Sequence, residues 1–362
     1  MAVRYDAAGK IQYIRLFGGD GSDTFYQVIA TRDGGFLAYG NTSSLAGGDF
    51  DRSGIQGVPQ DGTTLIVKYD ADGNVLWART GASVRAHNIT GYAAKCVCET
   101  ADGSLAGVVE SYADNSKGIQ YYRFHWDASG KPLTEEEYVH VDLPVDHLAD
   151  VRLNQDGSLT GVGNRGEFGS HTGVFFRLNA DGSQAFATEF PFLYFGNMLE
   201  TDDGQFLING TFSRHTRAAD LQRAGAVPPA AYQEKKSYGV VMIKLTADGK
   251  LVGGDMLIGL DSSNARCMTP LGGGETLVQV HDMGKFIDPL TGETRPQSRV
   301  YFYRVGTDGK LAKLHTSSSD LLVGVYSGVD GFIRQPDGSM QVICLENSSP
   351  SYIRVLELTS WG

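Results

Sequence analysis

One pattern recurs six times along this 362-residue chain: an apolar strand-like run, a tight turn built on Asp-Gly, and a second apolar run. It reads YQVIATRDGGFLAYGNTS, AKCVCETADGSLAGVVES, LADVRLNQDGSLTGVGNR, GNMLETDDGQFLINGTFS, RCMTPLGGGETLVQVHD and GFIRQPDGSMQVICLENS, with turns at Asp33, Asp102, Asp156, Asp203, Gly273 and Asp337. Six copies at intervals of 47 to 70 residues restrict the chain to a repeat architecture, in which each unit packs on its neighbours. Glycine supplies the positive φ such hairpins need, and the Asp side chain bonds its own backbone.

A second hairpin follows the first in five of the copies: TTLIVKYDADGNVLWART, IQYYRFHWDASGKPLTEE, GVFFRLNADGSQAFATEF, GVVMIKLTADGKLVGGDM and RVYFYRVGTDGKLAKLHT. Each unit is therefore strand a, turn, strand b, connection, strand c, turn, strand d, which is one four-stranded blade. Ile66, Lys68 and Asp70 alternate with Val67 and Tyr69, a pattern that predicts strands with one face more buried than the other. The fold class expected is all-β, a six-bladed β-propeller with four antiparallel strands per blade, forming a single domain over 1–362. The blades fall at about 24–80, 92–141, 147–190, 196–257, 264–315 and 328–358. The last unit stops after strand c, and residues 10–17 match strand d of the other units, so terminal strands are expected to close the ring. AVRYD looks like a further strand c, either an extra edge strand or a replacement for the C-terminal one.

Composition agrees and narrows the function. Forty-seven glycines against 11 prolines, with no collagen period, mean many tight turns and many short strands. The net charge of −11, with no Lys/Arg cluster, argues against a nucleic-acid partner. No apolar run approaches the roughly 18 residues of a membrane span. The start, MAVRYDAAGKIQY, lacks the basic and apolar regions of a signal peptide, which on its own points to the cytoplasm. Of four cysteines, Cys96 and Cys98 sit too close on one strand to bridge each other, and buried free thiols are expected.

The stretch TRDGGFLAYGNTSS…TLIVKYDADGNVLWARTG, preceded by FGGDGSD, resembles a propeller repeat common in secreted and surface proteins of bacteria and archaea. Residues 17–81 match it closely; the later blades match at their turns and strand patterns. The resemblance implies the fold and an extracellular or cell-surface location, and no particular activity, since most members have none assigned.

Three motifs invite a metal or cofactor, and each has a plainer reading. GGDGSDTFY (Gly18 to Tyr26) fits one calcium nonapeptide, but such ions are shared between stacked copies and there is one copy, so a turn is expected. Asp70-Ala71-Asp72-Gly73-Asn74 begins like a calcium loop without the rest of it. HVDLPVDHLAD (His140 to Asp150) is the densest ligand-like cluster, lying where polar loop residues need no explanation. DADGNVLW is similar to the tryptophan-docking repeat of quinoprotein propellers, but Trp77 has no counterpart in the other units. No metal and no cofactor is expected, and no nucleophile-elbow, phosphate-loop or zinc-protease string occurs.

The repeat also says where function sits. The a–b and c–d connections are nearly all tight turns and share one face; the b–c and d–a connections share the other, with insertions at 43–62, 214–237 and 281–298. That second face is the expected working surface. Candidate ligand-binding residues on it are Arg52, Arg85, His87, Tyr194 (with Phe195), His215, Arg217, Asp261 and Arg266, an aromatic beside Arg or Asp suiting a sugar or a peptide. The insertion RHTRAADLQRAGAVPPAAYQEKK reads as a lid or anion-binding element, or as a solvated loop. The function expected is a non-enzymatic, monomeric binding propeller engaging a glycan or a protein. The alternative is a propeller-type carbohydrate hydrolase or lyase, which needs a carboxylate pair or a His–carboxylate pair at the channel mouth.

Overall fold

The computed structural model describes residues 2–6, 10–55, 63–80, 92–112, 119–135, 138–167, 170–259, 263–287, 294–316, 329–334, 340–346 and 352–358. A short N-terminal hairpin, β1 (Ala2–Tyr5) and β2 (Ile11–Arg15), precedes the repeats. Blade 1 is β3 (Asp23–Ala30), β4 (Phe36–Thr42), β5 (Thr63–Tyr69) and β6 (Val75–Thr80), with α1 (Gly48–Ser53) between β4 and β5. Blade 2 is β7 (Tyr92–Glu99), β8 (Leu105–Tyr112), β9 (Ile119–Trp126) and β10 (Tyr138–Val141). Blade 3 is β11 (His147–Leu153), β12 (Leu159–Arg165), β13 (Thr172–Leu178) and β14 (Gln184–Pro191). Blade 4 is β15 (Leu193–Glu200), β16 (Phe206–Phe212), β17 (Tyr238–Leu245) and β18 (Leu251–Gly259), with α2 (Ala218–Arg223) between β16 and β17. Blade 5 is β19 (Ser263–Gly272), β20 (Glu275–Ile287), β21 (Thr294–Val305) and β22 (Leu311–Thr316). Blade 6 is β23 (Val329–Arg334), β24 (Met340–Glu346) and β25 (Tyr352–Leu358).

The fold is all-β, a six-bladed β-propeller whose sheets follow the repeat strand for strand. By contacts the chain divides into two compact units. One is Met1–Asp146, Val151–Thr160 and Leu178–Gln184; the other is His147–Asp150, Gly161–Arg177 and Ala185–Gly362. No helix among the described residues is long and apolar enough to cross a membrane.

The turns form as the sequence predicts. Gly34, Gly73, Gly103, Gly130, Gly157, Gly182, Gly204, Gly249 and Gly309 all take φ between 73 and 86°, the left-handed region that side-chain-bearing residues avoid. The preceding carboxylates close the loops: Asp33 accepts from the Gly35 amide at 3.0 Å and Asp181 from the Ser183 amide at 2.9 Å. The Asp337 turn lies outside the described residues.

The expectation of one-sided strands is corrected. All seven residues of β5 are buried, Lys68 included, because neighbouring elements cover both faces of the middle strands. In the first unit Leu37, Tyr39 and Ile66 of blade 1 pack with Val97, Val109, Phe124 and Trp126 of blade 2. In the second, Val162 and Phe175 of blade 3 pack with Phe206, Ile208, Val241 and Ile243 of blade 4. Each fully buried large side chain contributes about 1.5–3 kcal/mol, so these layers carry most of the stabilisation.

Neighbouring blades are also latched at their c–d turns. Trp77 Nε1 donates to the Ala128 carbonyl at 3.0 Å, and Arg79 donates to the Gly130 carbonyl while lying 4.8 Å over the Trp126 ring. Thr188 Oγ1 donates to the Gly249 carbonyl at 3.0 Å. The N-terminal hairpin makes the same latch: Arg15 donates to the Gly73 and Asp72 carbonyls at 3.0 and 2.9 Å. Thus β2 stands to blade 1 as β6 stands to blade 2, the place of a strand d. Its ladder partner is β1, which takes the strand c position, and β23–β25 form a three-stranded sheet among the described residues.

Candidate functional site

β14 and β15 are joined by a single residue, Phe192, and that residue carries a positive φ of 61°. A left-handed conformation costs a Cβ-bearing residue about 1–2 kcal/mol and persists only where surrounding contacts impose it. Here two hydrogen bonds do so. The Phe192 amide donates to the His171 carbonyl at 2.7 Å, and its carbonyl accepts from Thr216 Oγ1, also at 2.7 Å. The corner thus ties the b–c connection of blade 3 to the b–c insertion of blade 4.

The residues behind the corner are tightly fixed. Asn164 of β12 pairs with the Phe195 backbone in both directions, Nδ2 to the carbonyl at 2.9 Å and the amide to Oδ1 at 2.7 Å. This buries Phe195 completely and turns its neighbour Tyr194 outwards, 44% exposed. The His171 ring meets Tyr194 edge to face, centroids 5.1 Å apart. On the other side, Tyr232 OH donates to the Thr216 carbonyl at 2.6 Å, and Leu221, Ala224 and Ala226 are fully buried in the core. The first half of the insertion is therefore packed down by a hydrophobic anchor, which corrects the solvated-loop reading there, while residues 227–236 are largely exposed.

Arg217 belongs to this support. Its guanidinium holds Asp220 with two bonds, Nε–Oδ2 3.0 Å and Nη2–Oδ1 3.1 Å, and lies 5.6 Å from the Phe192 ring centroid. Burial pushes the Asp220 carboxyl up, but the hydrogen bonds from Arg217 outweigh it and hold the group below the usual carboxylate range.

In front of this frame lies a cavity of about 600 Å³. Its aromatic surfaces are Phe192, Tyr194, Phe212 and Tyr238; its polar groups are Thr211, Ser213, Arg214, His147, His171 and His215. Every one of them lies in the second unit, on the b–c and d–a connections or the strand ends beside them. Among the described residues the lining contains no carboxylate. Arg214 Nε donates to His215 Nε2 at 3.4 Å, and His171 Nδ1 lies 3.2 Å from the Gly166 carbonyl, which orients that ring. Among the described residues no three of His, Cys, Asp or Glu come together as a metal-binding group.

Of the sequence candidates, Tyr194 and His215 meet in this cavity, and Arg217 braces it from behind. Arg52 lies elsewhere, in α1 of the first unit, paired with Asp49 at 2.6 Å. Arg266 is the unpaired residue of a β-bulge in β19, between Ala265 and Cys267. Arg85, His87 and Asp261 lie outside the described residues. Phe195, read from sequence as a rim residue beside Tyr194, is core. Phe192 and His171 escaped the sequence reading because they sit in short connections, and Tyr238 because it opens strand β17.

The calcium-like motifs are turns. Asp23 accepts from the Gly19 amide, Thr42 Oγ1 and Ser44 Oγ at 2.8, 2.5 and 2.9 Å, and Asp20 accepts from the Leu45 amide at 2.8 Å. Asp70 closes its own hairpin on the Asp72 and Asn74 amides at 2.9 and 2.8 Å. In the His140–Asp150 stretch, His140 stands edge to face with Tyr122, and His147 lines the cavity. Cys96 is buried, and burial pushes the Cys98 thiol up.

No protein-family model matches the chain, and no curated protein does. Among solved structures it is similar to the Dos1 propeller (8% identity, 94% of this chain and 69% of that one, TM-score 0.46). It is also similar to a puromycin hydrolase S511A mutant complexed with PGG (12% identity, TM-score 0.43), covering 95% of this chain but only 54% of that one. A third is Drosophila Semaphorin 1b, extracellular domains 1–2 (9% identity, 94% and 79%, TM-score 0.40). Likenesses this distant carry no argument about site or activity, which rest on the geometry.

Proposed function

We propose that this chain is a non-enzymatic binding propeller that takes a sugar ring of a glycan in the cavity framed by Phe192, Tyr194, His171 and His215, and that it works at the cell exterior. The carrying observation is the lining itself. Exposed aromatic surface suits the apolar face of a sugar ring, while imidazole, hydroxyl and guanidinium groups around it suit the ring hydroxyls. The corner at Phe192 fixes these groups before any ligand arrives, which lowers the ordering cost of binding. The exterior location rests on the resemblance of residues 17–81 to surface-protein repeats.

The hydrolase reading needs two carboxyl groups about 5–9.5 Å apart across a glycosidic bond, and among the described residues this lining supplies neither. A glycan screen followed by isothermal titration tests the binding reading: wild type binds a saccharide, and Tyr194→Ala loses at least tenfold in affinity with thermal stability nearly unchanged, because Tyr194 is half exposed. Release of reducing sugar from a bound glycan, or unaltered affinity in Tyr194→Ala, would overturn the proposal.

A further inference from the structure

The charge balance of the cavity singles out one residue. The chain as a whole carries −11, and several of its described cations hold carboxylates. Arg217 holds Asp220, Arg165 holds Glu189, Lys244 holds Asp203, and Lys250 holds Asp248 at 2.6 Å. Arg214 is different. It lines the cavity, it is exposed, and among the described residues no carboxylate lies within ion-pair distance of it. Its one recorded hydrogen bond is from Nε to His215, which leaves the two terminal amino groups of the fork for a partner.

We propose that Arg214 makes this cavity selective for an acidic sugar, a pyranose ring bearing a carboxylate, over its neutral counterpart. The inference rests on the saccharide-binding reading above and adds the ligand's charge. A guanidinium presents two parallel N–H groups at the spacing of carboxylate oxygens, and the resulting charge-assisted bonds are about twice as strong as neutral ones. His215 takes the third edge of the guanidinium and thereby fixes the plane of the fork. His147 lies on the same lining, and among the described residues no carboxylate there opposes an anion. Tyr194, beside His171, supplies the surface on which the ring body rests. Outside the cavity mouth the protein's net negative charge disfavours anions in general, so selectivity is confined to a ligand that reaches Arg214.

The test uses matched pairs of oligosaccharides differing only in the C6 group, hexuronate against hexose, titrated calorimetrically at one pH into the whole protein. Wild type is expected to bind an acidic member at least about tenfold more tightly than its neutral partner, the range of a single charged hydrogen bond. Arg214→Gln is expected to abolish that preference, weakening the acidic member far more than the neutral one. Arg214→Lys, which keeps the charge without the fork, is expected to restore only part of it. Tyr194→Ala is expected to weaken both members alike. Equal binding of the two members, or a preference that survives Arg214→Gln, would overturn the charge assignment and leave the saccharide reading intact. Binding of neither member of any pair would overturn both.

Discussion

At Phe192 the chain spends conformational energy to place an aromatic ring at the rim of a cavity, and two hydrogen bonds hold it there. Thr216 is the sharper probe of that arrangement, since its hydroxyl both donates to the Phe192 carbonyl and accepts from the Ser213 amide at 3.1 Å. Thr216→Val keeps the volume and removes both bonds from a buried site. It is expected to cost about 1–3 kcal/mol in denaturant unfolding and to weaken saccharide binding as the corner relaxes. A second residue-scale effect concerns pH. Asp33 is held down to about 2 by Lys68, 2.7 Å away, and by Thr31. A carboxyl whose folded value lies below its ordinary 3.8 adds stability that is present above pH 4. That stability is lost as pH falls towards 2. Asp33→Asn should therefore lower the melting temperature at pH 6 and differ little from wild type near pH 2, in scans taken across that range.

The same pairing recurs from blade to blade at the level of strands. The strand c cation reaches the a–b turn of its own blade in Lys68–Asp33, in Lys244–Asp203 at 3.2 Å and in Arg304–Glu275 at 3.8 Å. In blade 2, His125 occupies the position and reaches Ser104, which in turn donates to Asp102. These staples were not legible in the sequence, because a lysine alternating with Val67 and Tyr69 looks like the wet side of a strand. It is buried only because other elements cover that side. Lys244 is 1% exposed, so removing its partner leaves a charge in the core. Asp203→Ala is expected to cost about 2 kcal/mol, less than the 3–5 of a fully buried pair because Asp203 is part exposed, and adding Lys244→Met should recover much of it. In the blade 4 insertion, Leu221 is the anchor. Leu221→Ala should cost about 2–5 kcal/mol and loosen the Thr216–Phe192 contact along with it.

Across the molecule, the number and order of blades were readable because hairpin turns announce themselves locally: Gly34, Gly103 and Gly157 adopt the conformation their Asp-Gly signals required. Residues 10–17 were read as a strand d; in the structure Arg15 latches the c–d turn of blade 1 as Arg79 latches that of blade 2, while β2 pairs with β1. The candidate site was readable in part. Tyr194 and His215 stood out by residue type and by lying on the insertion face, but their partners come from three other segments, around 147, 171 and 238. Which connections face one another depends on the packing of one blade on the next, decided by residues such as Phe175 and Phe206 that look like any other core pair. Arg217 shows the converse: its exposed-looking sequence context concealed a buried partner, Asp220. The most direct test of the account is a crystal of the protein soaked in a mixture of neutral and acidic oligosaccharides. The account predicts a sugar ring against Tyr194 within hydrogen-bond reach of His171, His215 and Arg214; a ring bound elsewhere, with this cavity holding only water at saturating ligand, would contradict it.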